Sequence, residues 1–543
     1  MVASLFRKIA DINKLASFWF SLLFLTVFVI ITFFSLLHYF SLGEIKNLLS
    51  DQYTRYVIKF TFFQASLSTI FTVILSVPIA IAFHRRIDFF GREMLLRLIN
   101  LAFIMPAIIL IIGVIIVYGK NGWINKNLEA FFDFSLGYSI YGIAGVLLGH
   151  LAFCVPIMVR VILNCLDSIS EETWRLTSQL NFSNRDIFRI IEWPHIRLAT
   201  MSLSILVFMM CFTSFTIVLA LGGGPNVTSI EVAIYHALKL DFNLSLASNL
   251  ALIQVAVCFV LMFVLDMSNI PLLTGVTRKI KRFYRPNLNN KLLLILDIIF
   301  IGILFIIVLM PVLAVIINGF NSKFLYMIQS EELWNSIRQS FYISIFSSLL
   351  NLFITLSLVS GAFYFNYFAN KPKWVGYIRL LSNAKLIFPS FVLSAGLFIA
   401  LNHIIPIKSI SFYLIIIMNT IVALPFAMNI ILSPSLSFSK QEIYLAQSLN
   451  IKGWNFIRLI YWPKLRKSIS YAFALVMAIA WGDINVTALF NDGDFMTLSL
   501  LLYNLMSDYF IEESYVVALI ILVTTLFIFS VIEEFLGGDQ EEC

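Results

Sequence analysis

A chain of 543 residues that is 60% hydrophobic and only 12% charged cannot fold as an ordinary soluble globule, because soluble domains carry about 25% charged and about 45–50% apolar residues. Its mean hydropathy of +0.92 makes lipid the expected solvent. The formal charge of +7 does not indicate nucleic acid, since the basic residues lie in short segments between apolar runs, where they act as topology signals.

A spanning helix needs about 20 apolar residues to cross a hydrocarbon core of about 30 Å. Twelve such runs follow in order: Phe18–Tyr39, Val57–Phe83, Leu95–Tyr118, Ile140–Leu163, Leu198–Leu221 and Leu246–Leu265, then Leu292–Ile317, Ile337–Phe365, Leu380–Leu401, Phe412–Leu432, Ile469–Phe490 and Val516–Ile532. The predicted fold class is an all-α polytopic membrane protein with about 12 transmembrane helices. The first run is too long for a signal-peptide core and lacks an A-x-A-like exit, so it is expected to stay as a span. Pro78, Pro106, Pro156, Pro311, Pro389 and Pro425 fall in or near the runs. Neighbouring helices and water can satisfy the groups they free.

Orientation follows from Lys and Arg. With the N-terminus inside, 28 of the 37 basic residues fall on inside segments and 9 outside, the asymmetry expected of cytoplasmic loops. Clusters such as Arg278-Lys279-Lys281-Arg282-Arg285 lie inside, whereas the outside loop from Asn491 to Ser514 holds five acids and no Lys or Arg. Both termini are therefore expected in the cytoplasm.

The chain also repeats itself. Leu180–Arg197 reads LNFSNRDIFRIIEWPHIR and Leu449–Arg466 reads LNIKGWNFIRLIYWPKLR. Leu-Asn, an Arg, Trp-Pro and a final Arg recur at one constant offset, which takes position 180 to 449 and 197 to 466. Pro156 maps to Pro425 and Ser214 to Asp483 at the same offset, and Pro106 with Gly113 matches Pro389 with Gly396 at a slightly longer one. Six spans per half is an even number, so the halves insert in the same direction as parallel repeats. The expected division is a first half over 1–270, a cytoplasmic linker over 271–291 and a second half over 292–543.

Within each duplicated loop, a polar turn (Glu171 to Gln179; Gln441 to Ser448) leads to Leu-Asn. Asn181 and Asn450 suit the left-handed residue that stops a helix. Ile187, Ile190 and Ile191, with Phe456, Ile457 and Ile460, then give a short helix one apolar face. Pro194 and Pro463 are expected to break that helix before the next span. An interfacial helix on anionic lipid is the plainer alternative, but duplicated surfaces also suit a symmetric pair of partners.

Other chemistry is sparse. The five cysteines form no C-x-x-C pair and read as core thiols. Six scattered histidines offer no metal-ligand spacing, no nucleophile elbow is present, and no G-x-x-x-x-G-K-[ST] phosphate loop occurs; catalytic and metal residues are therefore none. Asp266 and Asp297 lie at span ends beside basic residues and are expected to form interface pairs. Trp19, Trp123, Trp334, Trp374 and Tyr509 fit interfacial belts. Asp483, beside Trp481 and inside the run Ile469–Phe490, is the outstanding single residue. A carboxylate there costs at least ~2.5 kcal/mol, so it faces a bundle interior or a wet cavity.

At the duplicated loops the chain resembles the integral-membrane permeases of bacterial binding-protein-dependent ABC importers. Their cytoplasmic loop runs Glu-Ala-Ala, three residues, Gly, then a downstream Pro. Arg175-Leu176-Thr177 and Tyr444-Leu445-Ala446 occupy the triplet, with only Ala446 matching, and Asn181 and Asn450 replace the Gly. The likeness extends to the fused two-half thiamine-transport branch through Tyr118-Gly119 with Gly122-Trp123, Glu192-Trp193-Pro194, Leu221-Gly222-Gly223-Gly224-Pro225, Ile230-Glu231, Gly482-Asp483 and Asp494-Phe495 with Thr497-Leu498.

This resemblance implies a type I ABC importer permease fold in the bacterial inner membrane. Thiamine and its phosphate esters would be delivered by a periplasmic thiamine-binding protein and imported by alternating access. Two copies of an ABC ATPase subunit would hold ATP and Mg, with no cofactor on this chain. The implied ATPase-coupling residues are Leu180, Asn181, Ile187, Arg189, Trp193 and Pro194, with Leu449, Asn450, Phe456, Arg458, Trp462 and Pro463. The implied substrate pathway includes Ser214, Trp481 and Asp483, the carboxylate attracting the thiazolium and the indole offering a cation–π face. The structural alternatives for Asp483 are a hydrogen-bonded strut between helices and a carboxylate near enough to the outer surface to be hydrated. The rival functions are a permease for another solute, chiefly ferric iron, and a secondary transporter driven by an ion gradient.

Overall fold

The computed structural model describes residues 16–40, 50–101, 105–132, 139–267, 290–369, 371–382, 388–402, 404–451, 454–491, 493 and 495–537. The expected linker over 271–291 lies outside these except for its last two residues, as do its basic cluster, Asp492, Asp494 and the end of the acidic tail.

The described chain is helical, with no strand among the described residues. In the first half it runs α1 (Ala16–His38), α2 (Gln52–Arg85), α3 (Arg92–Leu101), α4 (Ala107–Tyr118), α5 (Trp123–Phe132), α6 (Ile143–Leu166), α7 (Glu171–Gln179), α8 (Asn184–Phe212), α9 (Thr216–Leu221), α10 (Ile230–Lys239) and α11 (Leu244–Met267). The second half follows with α12 (Lys291–Gly319), α13 (Phe324–Gln329), α14 (Glu331–Tyr367), α15 (Pro372–Ser382), α16 (Ser390–Leu401), α17 (Ile407–Ser435), α18 (Lys440–Ser448), α19 (454–481), α20 (Asn485–Phe490), α21 (Leu498–Ser507) and α22 (Ile511–Gly537).

Among the described residues, ten helices are long and apolar enough to cross a membrane, and they fall on ten of the twelve expected runs. The other two are the runs Leu380–Leu401 and Ile469–Phe490. Among the described residues the first holds the end of α15 and the 12-residue α16, and the second splits into the 20-residue stretch Trp462–Trp481 and the short α20. Two more runs expected to be continuous are also divided, Leu95–Tyr118 between α3 and α4 and Leu198–Leu221 between α8 and α9. Proline explains two of the four divisions. Pro106 and Pro389 stand at the N-caps of α4 and α16, where a missing N–H costs nothing and the fixed φ starts the helix.

Capping repeats with the sequence. Asp51 accepts the Thr54 N–H at 2.8 Å at the start of α2; at the equivalent start of α14, Ser330 accepts the Leu333 N–H. Such caps satisfy donors that a helix start leaves open. Thr61 of α2 then accepts the Ile230 N–H at 3.0 Å, and Ser340 of α14 accepts the Leu498 N–H at 2.8 Å. Each half thus uses its second helix to hold the start of a short later one.

The first helix of each half packs on the other half: α1 lies against α14 and α16, and α12 against α2 and α4. Two glycines allow this. A Cβ on Gly113 would sit 2.5 Å from the Pro311 carbonyl oxygen, and one on Gly396 would sit 2.6 Å from that of Thr32. The step in numbering from Thr32 to Pro311 is the one that takes the cap Asp51 to Ser330, so the two crossings are the same crossing. Close backbone approach at small residues is how helices associate in lipid, where hydrophobic burial gives no drive.

Asp297 seals the α12 crossing. Its carboxylate, buried, accepts from Arg85 Nη1 at 2.8 Å and Arg86 Nε at 2.9 Å. The interface pairing expected for Asp297 is present and joins the halves; the Asp266 side chain lies outside those described. Stranding one member of a buried pair costs about 3–5 kcal/mol, so this contact is a strong local constraint. Gly113→Ala and Gly396→Ala are each expected to destabilise the purified protein by roughly 1–3 kcal/mol, the usual cost of overpacking, read from thermal unfolding in detergent.

Candidate functional site

The duplicated loops fold alike. Leu180 and Leu449 close α7 and α18, and the following Asn181 and Asn450 take left-handed φ values of 49° and 53°. Phe182 N–H then reaches back to the Thr177 carbonyl at 3.2 Å and Ile451 N–H to that of Ala446 at 2.9 Å, the six-to-one bond of a glycine-type helix stop. Asn stands where the resembling loop has Gly because, after Gly, it tolerates this conformation best.

After the stop, Ser183 and Asp186 form a reciprocal cap at the start of α8. Here the structure corrects an expectation. Pro194 and Pro463 do not break the helix, because a wide π-turn precedes each: Ile187–Glu192 in α8 and Ile457–Tyr461 in α19. Trp193 N–H bonds to Phe188 O and Trp462 N–H to Ile457 O, five positions back. Proline would remove a four-residue bond; the wider turn accommodates the ring, and His195 Nδ1 takes the Ile191 carbonyl at 2.6 Å. The loop helix and the next span are therefore one continuous helix, 184–212 in the first half and 454–481 in the second.

Of the expected apolar face, Ile187 and Ile191 are buried but Ile190 is exposed; Phe456 and Ile460 are half-buried and Ile457 exposed. What the two loops share is outward-facing. Leu176, Leu180, Phe188, Ile190 and Trp193 are exposed, and so, position for position, are Leu445, Leu449, Ile457, Leu459 and Trp462. Arg189, Pro194, Arg458 and Pro463 are exposed with them. Five large apolar side chains are thus exposed at matching places on each loop.

The loops are seated differently. Trp174 of α7 is fully buried, its ring 5.7 Å from that of His84, while His84 Nε2 lies 3.7 Å from Asp167. In the second loop, Glu442 of α18 is capped by the Ser439 N–H at 2.7 Å and held by Lys464 at 3.1 Å. That backbone bond, with Lys464, keeps its carboxyl below the ordinary value. The Lys464 ammonium also lies 4.1 Å from the Phe438 ring.

The second candidate region is the pair of breaks at 213–215 and 482–484. Thr216 Oγ1 donates to Asn485 Oδ1 at 2.7 Å across a separation of 269 residues. Equivalent positions that touch lie on the twofold axis relating the repeats. Such an interhelical bond contributes only about 0.6 kcal/mol in a membrane, so it marks the axis more than it holds it. Asp483 lies in the break, not mid-helix as expected, and its Oδ2 accepts the Val486 N–H at 3.1 Å, capping α20. Ser214 is the buried counterpart, its carbonyl accepting from Ser229 at 3.4 Å. Trp481 is buried, its carbonyl bonded to Ser499 and its indole nitrogen without a partner among the described residues.

Sequence reasoning missed Thr216 and Asn485, although the offset shared by the two loops could have paired them. It names Glu231 only as part of a resemblance, with no sign that this is a buried carboxylate on α10 that accepts from Gln254 Nε2 at 3.0 Å. Among the described residues, no group of three His, Cys, Asp or Glu is placed to hold a metal ion.

Two outcomes follow from the loop geometry. Asn181→Gly should leave stability unchanged or slightly raised, while Asn181→Val costs about 1–2 kcal/mol for a β-branched residue held left-handed, both read from thermal unfolding. Burial pushes the Asp167 carboxyl up from 3.8 to about 6, against the lowering pull of Arg92. The folded chain thus holds this proton more tightly than the unfolded one, and stability falls as pH rises through that interval. Asp167→Asn should flatten that part of the curve when melting is compared at about pH 4 and about pH 7.

Residues 73–269 match the family described as binding-protein-dependent transport system inner membrane component. The chain is 33% identical over 461 residues to the thiamine transport system permease protein ThiP of Brucella abortus, covering 84% of this chain and 83% of that protein. It is 32% identical over 492 residues to ThiP of Escherichia coli K12, covering 90% of each. A protein of Haemophilus influenzae named as a ferric transport system permease is a distant match, 22% identical over 41% of this chain and 36% of its own length. A likeness covering 90% of the chain takes in both loops and both breaks. The chain belongs to the binding-protein-dependent transport family as a multi-pass inner-membrane permease subunit, which works with ATPase and substrate-binding partners and is a transporter component with no cofactor of its own, not an enzyme.

Proposed function

We propose that this chain is the membrane-spanning subunit of an ATP-driven importer that moves thiamine and its phosphate esters from periplasm to cytoplasm by alternating access. The observation that carries the reading is the five matched pairs of exposed apolar side chains on the two loops. Twin surfaces related by a twofold axis suit two identical partners. Those partners are two copies of an ABC ATPase subunit, which hold ATP and Mg, while a periplasmic thiamine-binding protein delivers substrate at the opposite end.

In this assembly the loop end is cytoplasmic, as are both termini, in accord with the Lys and Arg asymmetry. The halves are 1–270 and 292–543, joined by 271–291. Leu180 to Pro194 and Leu449 to Pro463 are the levers. Because each continues through its π-turn into a span, displacement of the loop moves the break at 213–215 or 482–484. Asp483 and Trp481, with Ser214 opposite, line the pathway at those breaks. The carboxylate favours a cationic thiazolium there, and the indole face adds a cation–π contact. Only contacts that differ between the two end states can drive the switch.

In vesicles holding this chain with its ATPase and binding protein, thiamine uptake should require ATP and survive an uncoupler. Leu180→Asp combined with Leu449→Asp should lower ATPase capture and uptake on the order of tenfold or more, as for central interface anchors. Asp483→Asn should raise the KM for thiamine roughly tenfold, equivalent to about 1.4 kcal/mol, with ATPase capture intact. Full accumulation by this chain alone, or labelling of Asn181 and Asn450 from the periplasm, would sink the reading.

A further inference from the structure

α2 runs from the first loop, where His84 meets Trp174, to the opposite end of the molecule, where Tyr53 borders α10. There α10 is fastened at its start. Thr61 accepts the Ile230 N–H at 3.0 Å, Ser229 Oγ donates to the Ser214 carbonyl at 3.4 Å, and Gln254 of α11 donates to Glu231 at 3.0 Å. These three bonds stay within the first half. One and two turns after Glu231, the helix meets the second half. The Tyr235 ring lies edge-on to Phe391 at 6.3 Å, and Phe215 stacks on Phe391 at 4.5 Å. Lys239 Nζ then donates to the Asn491 carbonyl at 2.9 Å.

On its other side α10 borders open space. A cavity of about 240 Å³ is walled by Ala233, His236 and Leu240 of α10, Tyr53 and Val57 of α2, and Leu250 of α11. Positions 233, 236 and 240 share one face of the helix, and 235 and 239 share another. Packed interiors leave few voids larger than a water molecule, so this one is room for a helix end to move into. In the register that pairs the caps Ser229 and Thr497, Tyr503 of α21 answers Tyr235, but Ser507 stands where Lys239 does. The ammonium belongs to one half alone.

We propose that α10 is the moving wall of the pathway's outer end, and that Lys239 is the positioning residue that keeps this wall closed. A charge-assisted bond holds the helix end against the second half. Opening releases Lys239, parts Tyr235 from Phe391 and swings the end of α10 into the cavity behind it, about the fastened start. This rests on the reading of the chain as an alternating-access importer with that end outward.

The test places spin labels at exposed positions beyond the ends of α10 and α21, Asp241→Cys with Ser507→Cys, with Cys165 and Cys543 replaced by serine. Distances are measured in the complete complex in lipid, nucleotide-free and trapped with ATP and vanadate. Trapping should lengthen the separation by more than about 2 Å, the size of small helix shifts at packed interfaces. Ala233→Phe, or Val57→Phe on the facing wall, fills the cavity; with ATPase capture intact, the separation should then stay short in both states and uptake should fall. Lys239→Met should populate the longer separation without nucleotide and raise ATPase activity without the binding protein several-fold, since losing a bond made only in the closed state shifts the population away from it. Lys239→Arg should restore both readouts. A merely structural Lys239 would leave that activity unchanged or lower it. An unchanged separation on trapping, normal opening in the cavity-filled variants, or a Lys239→Met complex that matches its parent overturns the proposal. Thiamine uptake by the labelled parent complex without ATP would instead be failure of the importer reading.

Discussion

Two backbone crossings, Pro311 over Gly113 and Thr32 over Gly396, are the constraint on which the rest of the molecule depends. In lipid, helix faces gain little by leaving hydrocarbon for one another, so association relies on close packing and a few polar bonds. A glycine at each crossing lets the exchanged helix approach to backbone contact, which fixes α4 and α16 against the other half. Those helices begin at Pro106 and Pro389, and Pro106 packs within 2.2 Å of where a Cβ on Gly482 would lie. The exchange of first helices and the central break at 482–484 are thereby parts of one packing solution. Thr216 and Asn485 meet because the crossings bring the halves together there.

Much of this was legible in the residues. The apolar runs located ten spans, because crossing hydrocarbon imposes a length that composition must supply. The spacing shared by Pro106 with Gly113 and Pro389 with Gly396 is visible in the sequence, whereas the use of the two glycines as crossing points is not. Asn181 and Asn450 could be assigned a left-handed backbone from helix-stop chemistry alone, and both adopt it. Hydropathy could not show which half a helix packs on, since α1 is apolar whichever neighbour it takes. Nor does mean hydropathy show the breaks before α9 and α20, where only Thr213-Ser214 and Gly482-Asp483 interrupt runs that are apolar on either side. Trp-Pro marks a helix end only where the bonds span four residues; the π-turn before each proline changes that pattern.

Asp483 shows how one residue can satisfy both readings given for it. A carboxylate within the bilayer needs compensation, and the Val486 N–H at the start of α20 supplies part of it. That bond compensates the charge without cancelling it, since a backbone N–H carries no net charge. A capped carboxylate in a break can therefore still attract a cation. The structural role and the proposed pathway role draw on the same geometry.

The pattern of likeness between the halves has its own logic. Places that would meet two identical partners stay equivalent: five exposed apolar pairs, the same helix stop, the same π-turn. Places that would meet a single small molecule need not, because such a molecule has no twofold axis of its own. At the centre, Asp483 has a serine counterpart in Ser214. Glu231 likewise corresponds to Ser499, each standing two places after the residue that caps its helix, Ser229 or Thr497. The loop ends thus keep their twofold likeness while the core between them does not, with Asp483 set against Ser214 and Asp297 against Phe18.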